Sequence, residues 1–382
     1  MRKPSLWTVT GLATLSLAVS ACGSSSDSAS PSTSSSSAGG GTTTSAPAAA
    51  PTGKVGVILP DASTSPRWES NDRPLLTAAF QAAGVESDIQ NADGNKAKFA
   101  TICDSMINSD VKVLLITNLD SDTGGACLKK AQTAGIKTID YDRLTLGGGA
   151  SYYVSFDNVA VGGLMGTGLQ KCLTDAGKTS NAQIVFINGD PTDNNAALFK
   201  QGYQEALQPA IDGGQLKLVG DQTGEWDASK AGTAFEQLFT QNGGKIDGVV
   251  SANDTMAGGI IARLKANKLN GQVPVTGQDA SVAGLQAILS GDQCMTVYKA
   301  IKKEADAASA LAVALIKGED GASLATDSVM DTRLKKPVAS SLQEPVAIYK
   351  ENVKDVIDDG YQKASEVCTA ALKSACSEAG IS

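Results

Sequence analysis

The sequence predicts an α/β protein made of two similar lobes. From Lys54 onward, short β-branched runs alternate with longer amphipathic stretches. Many of those stretches stop at a glycine-containing turn, and the β-α series starts afresh after residues 153–156. Continuous apolar strands separated by helices imply parallel sheets covered on both faces. A repeated series implies two such sheets with a cleft between them.

Candidate strands cover residues 55–59, 85–90, 111–117, 137–141, 183–188, 217–221, 248–252 and 273–277. Between them, helical spacing covers 75–83, 96–108, 122–134, 158–173, 195–207, 229–241 and 255–268. The turns Ala83-Gly84, Ala134-Gly135, Gly213-Gly214 and Gly243-Gly244 close helices where a left-handed residue is wanted. In open sheets of this kind ligands sit beyond the carboxyl ends of the strands, so informative residues should lie just after strands.

The N-terminus speaks to compartment. Arg2 and Lys3 precede a short apolar stretch, 12–19, and Val19-Ser20-Ala21-Cys22 ends it with small residues before a cysteine. That is the pattern of a lipoprotein signal peptide over 1–21, with Cys22 as the lipidated first residue of the mature chain. The stretch is too short and too broken by Ser and Thr to span a membrane, and no second apolar run reaches that length. Residues 22–53 are almost all Ser, Thr, Gly, Ala and Pro. They hold too little apolar surface to fold, and are expected to act as a disordered tether on the lipid anchor.

The remaining body is long enough for two ordinary domains. With 42% hydrophobic and 19% charged residues it reads as globular. Loss of two cations and no acid with the signal takes the formal charge from −8 to −10. An acidic body with no basic cluster argues against nucleic acid. Besides Cys22 there are six cysteines, an even set in an oxidising compartment. The pairing adopted is Cys103 with Cys127, on neighbouring helices, Cys368 with Cys376, close in sequence, and Cys172 with Cys294 by elimination. Buried free thiols are the alternative. With no histidine and no CxxC, neither metal nor cofactor is expected.

The strand ends carry a consistent chemistry. Asp61 and Arg67-Trp68 follow the first strand, Asp142-Arg143 the fourth, and Asp157-Asn158 the next. Asp193-Asn194-Asn195, Trp226, Asn253-Asp254, Gln278-Asp279 and Lys299 follow later ones. A sugar ring has apolar C–H faces, which suit aromatic planes, and a rim of hydroxyls, which suits carboxylates, amides and guanidinium groups. The mature chain has two tryptophans, Trp68 and Trp226, and each falls on such a loop, one per lobe. Each residue also has a structural role open to it: Asp193 and Asp254 could cap the helices that follow, Asp142-Arg143 could be a solvated turn, and the indoles could fill cores. Capping, however, asks for no Arg67, Arg143, Lys299 or Trp.

Taken as ordered blocks, these motifs resemble the D-xylose-binding members of the ribose-type (type I) periplasmic sugar-binding family. The resemblance runs from Lys54 to about Tyr361. It is carried by Pro66-Arg67-Trp68, Asn91-Ala92-Asp93-Gly94-Asn95, Tyr141-Asp142-Arg143, Ser155-Phe156-Asp157-Asn158 and Asp193-Asn194-Asn195-Ala196. Further on come Val219-Gly220-Asp221-Gln222, Ser251-Ala252-Asn253-Asp254, Gly277-Gln278-Asp279-Ala280 and Met295-Thr296-Val297-Tyr298-Lys299. One departure is Pro60, where the family usually has an acidic residue.

The resemblance implies two Rossmann-like lobes joined by a three-strand hinge, the periplasmic binding protein type I architecture. The N-terminal lobe would take 54–152 with about 300–335, the C-terminal lobe 153–299 with about 345–363, and 364–382 would be an added C-terminal extension. Sugar contacts are implied at Arg67, Trp68, Asp142, Arg143, Asn195, Trp226, Asn253, Asp279 and Lys299, with Asp193 and Asp254 beside them. Also implied is a monomeric, exported, lipid-anchored binding protein on the outer face of the cytoplasmic membrane, which closes on a monosaccharide, foremost D-xylose, and delivers it to an ABC permease with its cytoplasmic ATPase. A sensor that presents the sugar to a membrane receptor or kinase would use the same lobe chemistry, and so would binding of another monosaccharide. An enzyme is not expected: the chain has no His, no G-x-S-x-G and no P-loop.

Overall fold

The computed structural model describes residues 53–381. The expected signal peptide, the expected lipidation site Cys22 and the expected tether up to residue 52 lie outside the described residues. No described helix is long and apolar enough to cross a membrane.

The first lobe is built by β1 (Lys54–Leu59), α1 (Arg73–Ala82), β2 (Glu86–Asn91), α2 (Lys96–Ile107), β3 (Val111–Ile116), α3 (Ser121–Thr133), β4 (Lys137–Tyr141) and β5 (Tyr152–Phe156). The second takes α4 (Asn158–Asp175), β6 (Ala182–Asn188), α5 (Asn194–Asp212), β7 (Leu216–Thr223), α6 (Ala228–Gln241), β8 (Gly248–Ser251), α7 (Asp254–Ala266), α8 (Val282–Ser290) and β9 (Thr296–Tyr298). The chain then returns to the first lobe as α9 (Ile301–Ile316), β10 (Asp327–Asp331) and β11 (Lys336–Gln343). It ends on the second with β12 (Val346–Ile348), α10 (Val353–Asp358), α11 (Ala364–Val367) and α12 (Lys373–Glu378). Three crossings, at 156–158, 298–301 and 343–346, therefore join the lobes.

The first sheet runs β10-β11-β5-β4-β3-β1-β2, parallel except for the edge pair β10–β11. Strand β1, between β3 and the edge strand β2, is buried along nearly its whole length, as an apolar KVGVIL run between two helical layers should be. The second sheet runs β7-β6-β8 and is continued by single bridges, Val249 to Val275 and Gln278 to Val297, toward the antiparallel pair β9–β12.

Three differences from the sequence reading have physical causes. Residues 273–277 form only a bridge, since Pro274 has no N–H to give a ladder; its carbonyl accepts from Val249 N instead. Strand β5 belongs to the first sheet, so the chain enters the second lobe after Phe156 and not at residue 153. Strands β10 to β12 lie outside the sequence reading, because β10 (DSVMD) and β11 (KPVASSLQ) are largely polar and partly exposed and β12 (VAI) is only three residues long.

Seven helices begin under a side-chain cap: Asn95, Asp120, Asp157, Asp193, Asp227, Asn253 and Ser281 each accept from a backbone N–H of the first turn. Disulfides join Cys103 to Cys127 between α2 and α3, Cys172 of α4 to Cys294 just before β9, and Cys368 to Cys376 within the C-terminal segment. That last segment is folded: Val367, Cys376 and Ile381 are buried with Leu285, Ile288 and Leu289 of α8.

Chain entropy ranks the crosslinks. The Cys172–Cys294 bond spans 122 residues and the Cys368–Cys376 bond 8. Loop closure makes them worth about 5 and about 2.5 kcal/mol. Replacing Cys172 and Cys294 by serine should lower stability in urea about twice as much as replacing Cys368 and Cys376. Equal losses would show that local packing, not loop length, sets their value.

Candidate functional site

A cavity lies between the lobes. Ten of the eleven contact residues expected from the sequence line it: Arg67, Trp68, Asp142 and Arg143 from the first lobe, Asp193, Asn195, Trp226, Asn253 and Asp279 from the second, and Lys299 from the hinge. Strand ends explain the convergence. Asp142 follows β4, Asp193 and Asn195 open α5 after β6, Trp226 follows β7, and Asn253 follows β8.

The lobes are bonded to each other around the cavity. Arg143 Nε lies 2.9 Å from Asp193 Oδ2, and Ser65 Oγ donates to Asp279 Oδ2 at 2.8 Å. Asn195 Nδ2 donates to both the carbonyl (2.9 Å) and the carboxylate (3.1 Å) of Asp142. Asn253 Nδ2 reaches the carbonyl of Thr64 at 3.2 Å. Lys299 Nζ sits 3.3 Å from Asp279 and 3.8 Å from Asp142.

Arg67 is the hub. Its Nε and Nη2 grip the carboxylate of Asp72 at 2.9 and 2.7 Å, Nη2 also donates to Glu304 at 2.7 Å, and Nη1 donates to Asp142 at 2.7 Å. A guanidinium has five N–H groups, so four are engaged by protein and one is left over. Burial would lower the Arg67 pKa, but Asp72, Asp142 and Glu304 together hold it well above its ordinary value. Burial likewise pushes Asp142 up, yet Arg67, Lys299 and Arg143 outweigh it and keep that carboxyl below its usual range. At Asp193 burial wins over Arg143, and the pKa is raised.

Each indole is cavity wall and core edge at once: Trp68 packs into the first lobe's core and Trp226 into the second's. The Arg67 guanidinium lies 4.3 Å over the Trp68 ring and Arg143 5.6 Å, so protein cations already occupy π surface of this indole. Trp226 meets Phe199 edge-on at 6.2 Å. The seat of Trp226 depends on Gly189, where a Cβ would stand 2.0 Å from the indole Cζ2.

Among the described residues, five buried side-chain polar atoms have no hydrogen-bond partner. Four belong to the cavity lining: Trp68 Nε1, Trp226 Nε1, Gln278 Oε1 and Asp279 Oδ1. The fifth is Glu304 Oε1. Two donors and two acceptors without a hydrogen bond around one cavity, Asp279 Oδ1 among them facing Lys299 Nζ at 3.3 Å, are a template for a ligand that both gives and takes hydrogen bonds.

Asp254 is a correction. Its carboxylate does not line the cavity; it accepts from Gln293 Nε2 and Thr296 Oγ1, both at 2.8 Å, and from Ser281 N at 2.9 Å. It ties the loops beneath α7 and α8, and the cap of α7 is Asn253. Burial, against those donors, pushes Asp254 up to about 7. Asp193 does both jobs, capping α5 through Asn195 N and lining the cavity. Thr64, Ser65 and Phe199 also line the cavity, as does Gln278, which the sequence marks as a strand-end residue but not as a sugar contact. Phe199 was findable, because it sits one helical turn after Asn195 on the same face.

The geometry has counterparts among known proteins. The family described as periplasmic binding protein domain matches residues 55–320. The D-xylose-binding periplasmic protein of Escherichia coli (strain K12) is 37% identical over 316 residues, covering 82% of this chain and 92% of that protein. A solute-binding protein of an ABC transporter from Clostridium phytofermentans, solved with bound β-D-glucose, superposes with a TM-score of 0.74 at 28% identity over 82% of this chain and 99% of its own. A carbohydrate transporter solute-binding protein from Chloroflexus aurantiacus, in complex with D-glucose, gives 0.73 at 30% identity over 82% and 98%.

The raised carboxyls make a prediction about pH. Asp193 and Asp254 are joined by Asp140, which burial beside Asp331 pushes up to about 7 against two bonds from Thr145. A group raised on folding adds stability that is complete below its unfolded pKa of about 4 and is lost as pH climbs through its folded value. Asp142, which is lowered, adds stability that is lost only as pH falls below about 4. Urea stability should therefore decline from pH 5 to pH 8. A flat or rising profile would contradict the ordering of these shifts.

Proposed function

The chain belongs to the periplasmic binding protein family, and from that premise we propose that it captures a monosaccharide, D-xylose foremost, and hands it to an ABC importer. The observation that carries the proposal is the set of four buried polar atoms without a hydrogen bond, two of them indole N–H groups, around one interlobe cavity. A pyranose ring offers C–H faces to the indoles and hydroxyls to the orphaned N–H and C=O groups. Asp142, Asn195, Asn253, Asp279 and Lys299 would bind the remaining hydroxyls through charge-assisted and forked bonds. Arg67 would spend one N–H on the sugar and the other four on holding its neighbours.

Capture proceeds by hinge closure. The cavity is walled by both lobes, so a ligand completes its contacts only when they meet, and that difference in contact stabilises the closed form. No bond is made or broken. The chain is an exported protein, and the N-terminal pattern supports a finer reading: Cys22 carries lipid, and the Ser-, Thr- and Ala-rich tether lets one monomeric binding body reach a permease in the same membrane. D-xylose is favoured over a hexose by the identity to the Escherichia coli protein. The glucose-bound neighbours make hexoses the competitors to test.

Titrating D-xylose should change the intrinsic fluorescence saturably. Trp226→Ala should weaken affinity at least tenfold, about 1.4 kcal/mol. Gly189→Ala should weaken it too, because the added methyl evicts the indole. If Gly189→Ala binds as the native protein does, Trp226 is a core residue only. Calorimetry with xylose, ribose, arabinose, glucose and galactose decides the ligand, and silence from all five would overturn the sugar assignment.

A further inference from the structure

We propose that Glu304 is a positioning residue for the cavity: as a neutral carboxylic acid on α9 it holds Arg67 so that Arg67 presents Asp142 to the ligand. This rests on the sugar-binding reading for its ligand and on geometry for its chemistry.

The geometry is a crowded one. Three carboxyl groups, Asp72, Asp142 and Glu304, each lie 2.7 Å from one guanidinium, and no side chain of the four is more than 5% exposed. Carboxylates sharing one buried cation repel each other, and such a cluster retains a proton. The hydrogen bonds say which group keeps it. Asp72 accepts three bonds, two from Arg67 and one from Tyr141 OH at 2.7 Å. Asp142 accepts from Arg67 and Asn195 and has Lys299 nearby. Glu304 accepts a single bond, and its Oε1 has no partner. Donors favour the ionised form, so the proton stays where they are fewest.

The surroundings agree. The charged and titratable groups that face Glu304 are Arg67 and Asp72 before and at the start of α1, Tyr141 and Asp142 at the end of β4, Tyr153 of β5, and Lys299 at the hinge. Burial, with Asp142 and Asp72 adding to it, keeps the Glu304 pKa well above its ordinary value despite Arg67 and Lys299. Position gives the proton its function. α9 opens directly after Lys299, so Glu304 stands where the hinge enters the first lobe and meets Arg67 behind the cavity wall.

The test uses Glu304→Gln, which keeps the shape and the acceptor of a neutral acid, and Glu304→Ala, which removes both. Sugar affinity at pH 7 should stay within about twofold of native in the Gln variant and fall at least tenfold in the Ala variant. In the ligand-free proteins, urea stability is followed from pH 5 to pH 9. Unfolded glutamate ionises near pH 4.3 while folded Glu304 keeps its proton, so native stability should fall relative to the Gln variant as pH rises. Parallel stability profiles, or a tenfold loss of affinity in the Gln variant, would overturn the neutral acid. Native-like affinity in the Ala variant would overturn the positioning role. Should the native protein bind none of the sugars, the ligand assignment fails, and the stability profiles still decide the proton. Should the Ala variant not fold, the Gln variant and the native protein carry the test.

Discussion

The guanidinium of Arg67 lies almost wholly out of water, and a lone charge there would cost several kcal/mol. It is tolerated because Asp72 takes two of its N–H groups, Glu304 one and Asp142 one. Each partner comes from a different part of the first lobe: the start of α1, the start of α9 and the end of β4. One ion cluster therefore fixes three elements at the cavity's floor. The π-helical turn Trp68–Asp72 is the local device that brings Asp72 round to Arg67, and irregular turns of this kind recur at functional sites.

Closure is a balance between two sets of polar groups. Bonds such as Arg143–Asp193 and Ser65–Asp279 cross between the lobes and favour the closed form. Opposing them are Trp68 Nε1, Trp226 Nε1 and Gln278 Oε1 of the lining, which have no partner and each cost about 1–3 kcal/mol when dry. Charged hydrogen bonds return a similar amount apiece, about 1.5–3 kcal/mol. A polyol that satisfies those atoms removes their cost only in the closed form, and so tips the equilibrium toward it.

The alternation of strands and helices was legible because it is written in apolar periodicity, and the cavity residues were legible because strand ends are where an open sheet delivers them. What misled was the double use of short polar side chains. Asp and Asn after a strand are wanted as helix caps whether or not a ligand is near. Asp193 and Asn253 both cap a helix and line the cavity, Asp157 and Asp227 cap their helices, and Asp254 sits one place beyond the cap, where its carboxylate turns inward to Gln293 and Thr296. No local pattern separates these outcomes, since the deciding partners are about 40 residues away. Glu304 escaped for the same reason. On a helix of period 3.6 it reads as one acid among Lys302, Lys303 and Asp306, and only tertiary packing buries it.

Backbone strain shows how firmly the site is held. Asp142, Trp226 and Asp279 all have positive φ, at 64°, 60° and 98°. Asp enters the left-handed region fairly readily, but a bulky Trp there is a true outlier, and such residues cost on the order of 1–3 kcal/mol. They persist only where the surroundings over-determine them. The carbonyl of Asp142 accepts from Tyr153 OH, Ser155 Oγ and Asn195 Nδ2, and Asp279 N donates to Val297 O. Trp226 is wedged between Phe199 and the notch left by Gly189. Strain gathered at the cavity and restrained from outside it leaves these side chains little freedom to lose on binding. The entropy cost of capture then falls on the hinge and the sugar rather than on the site, which is how a small polar ligand can be held with few contacts to spare.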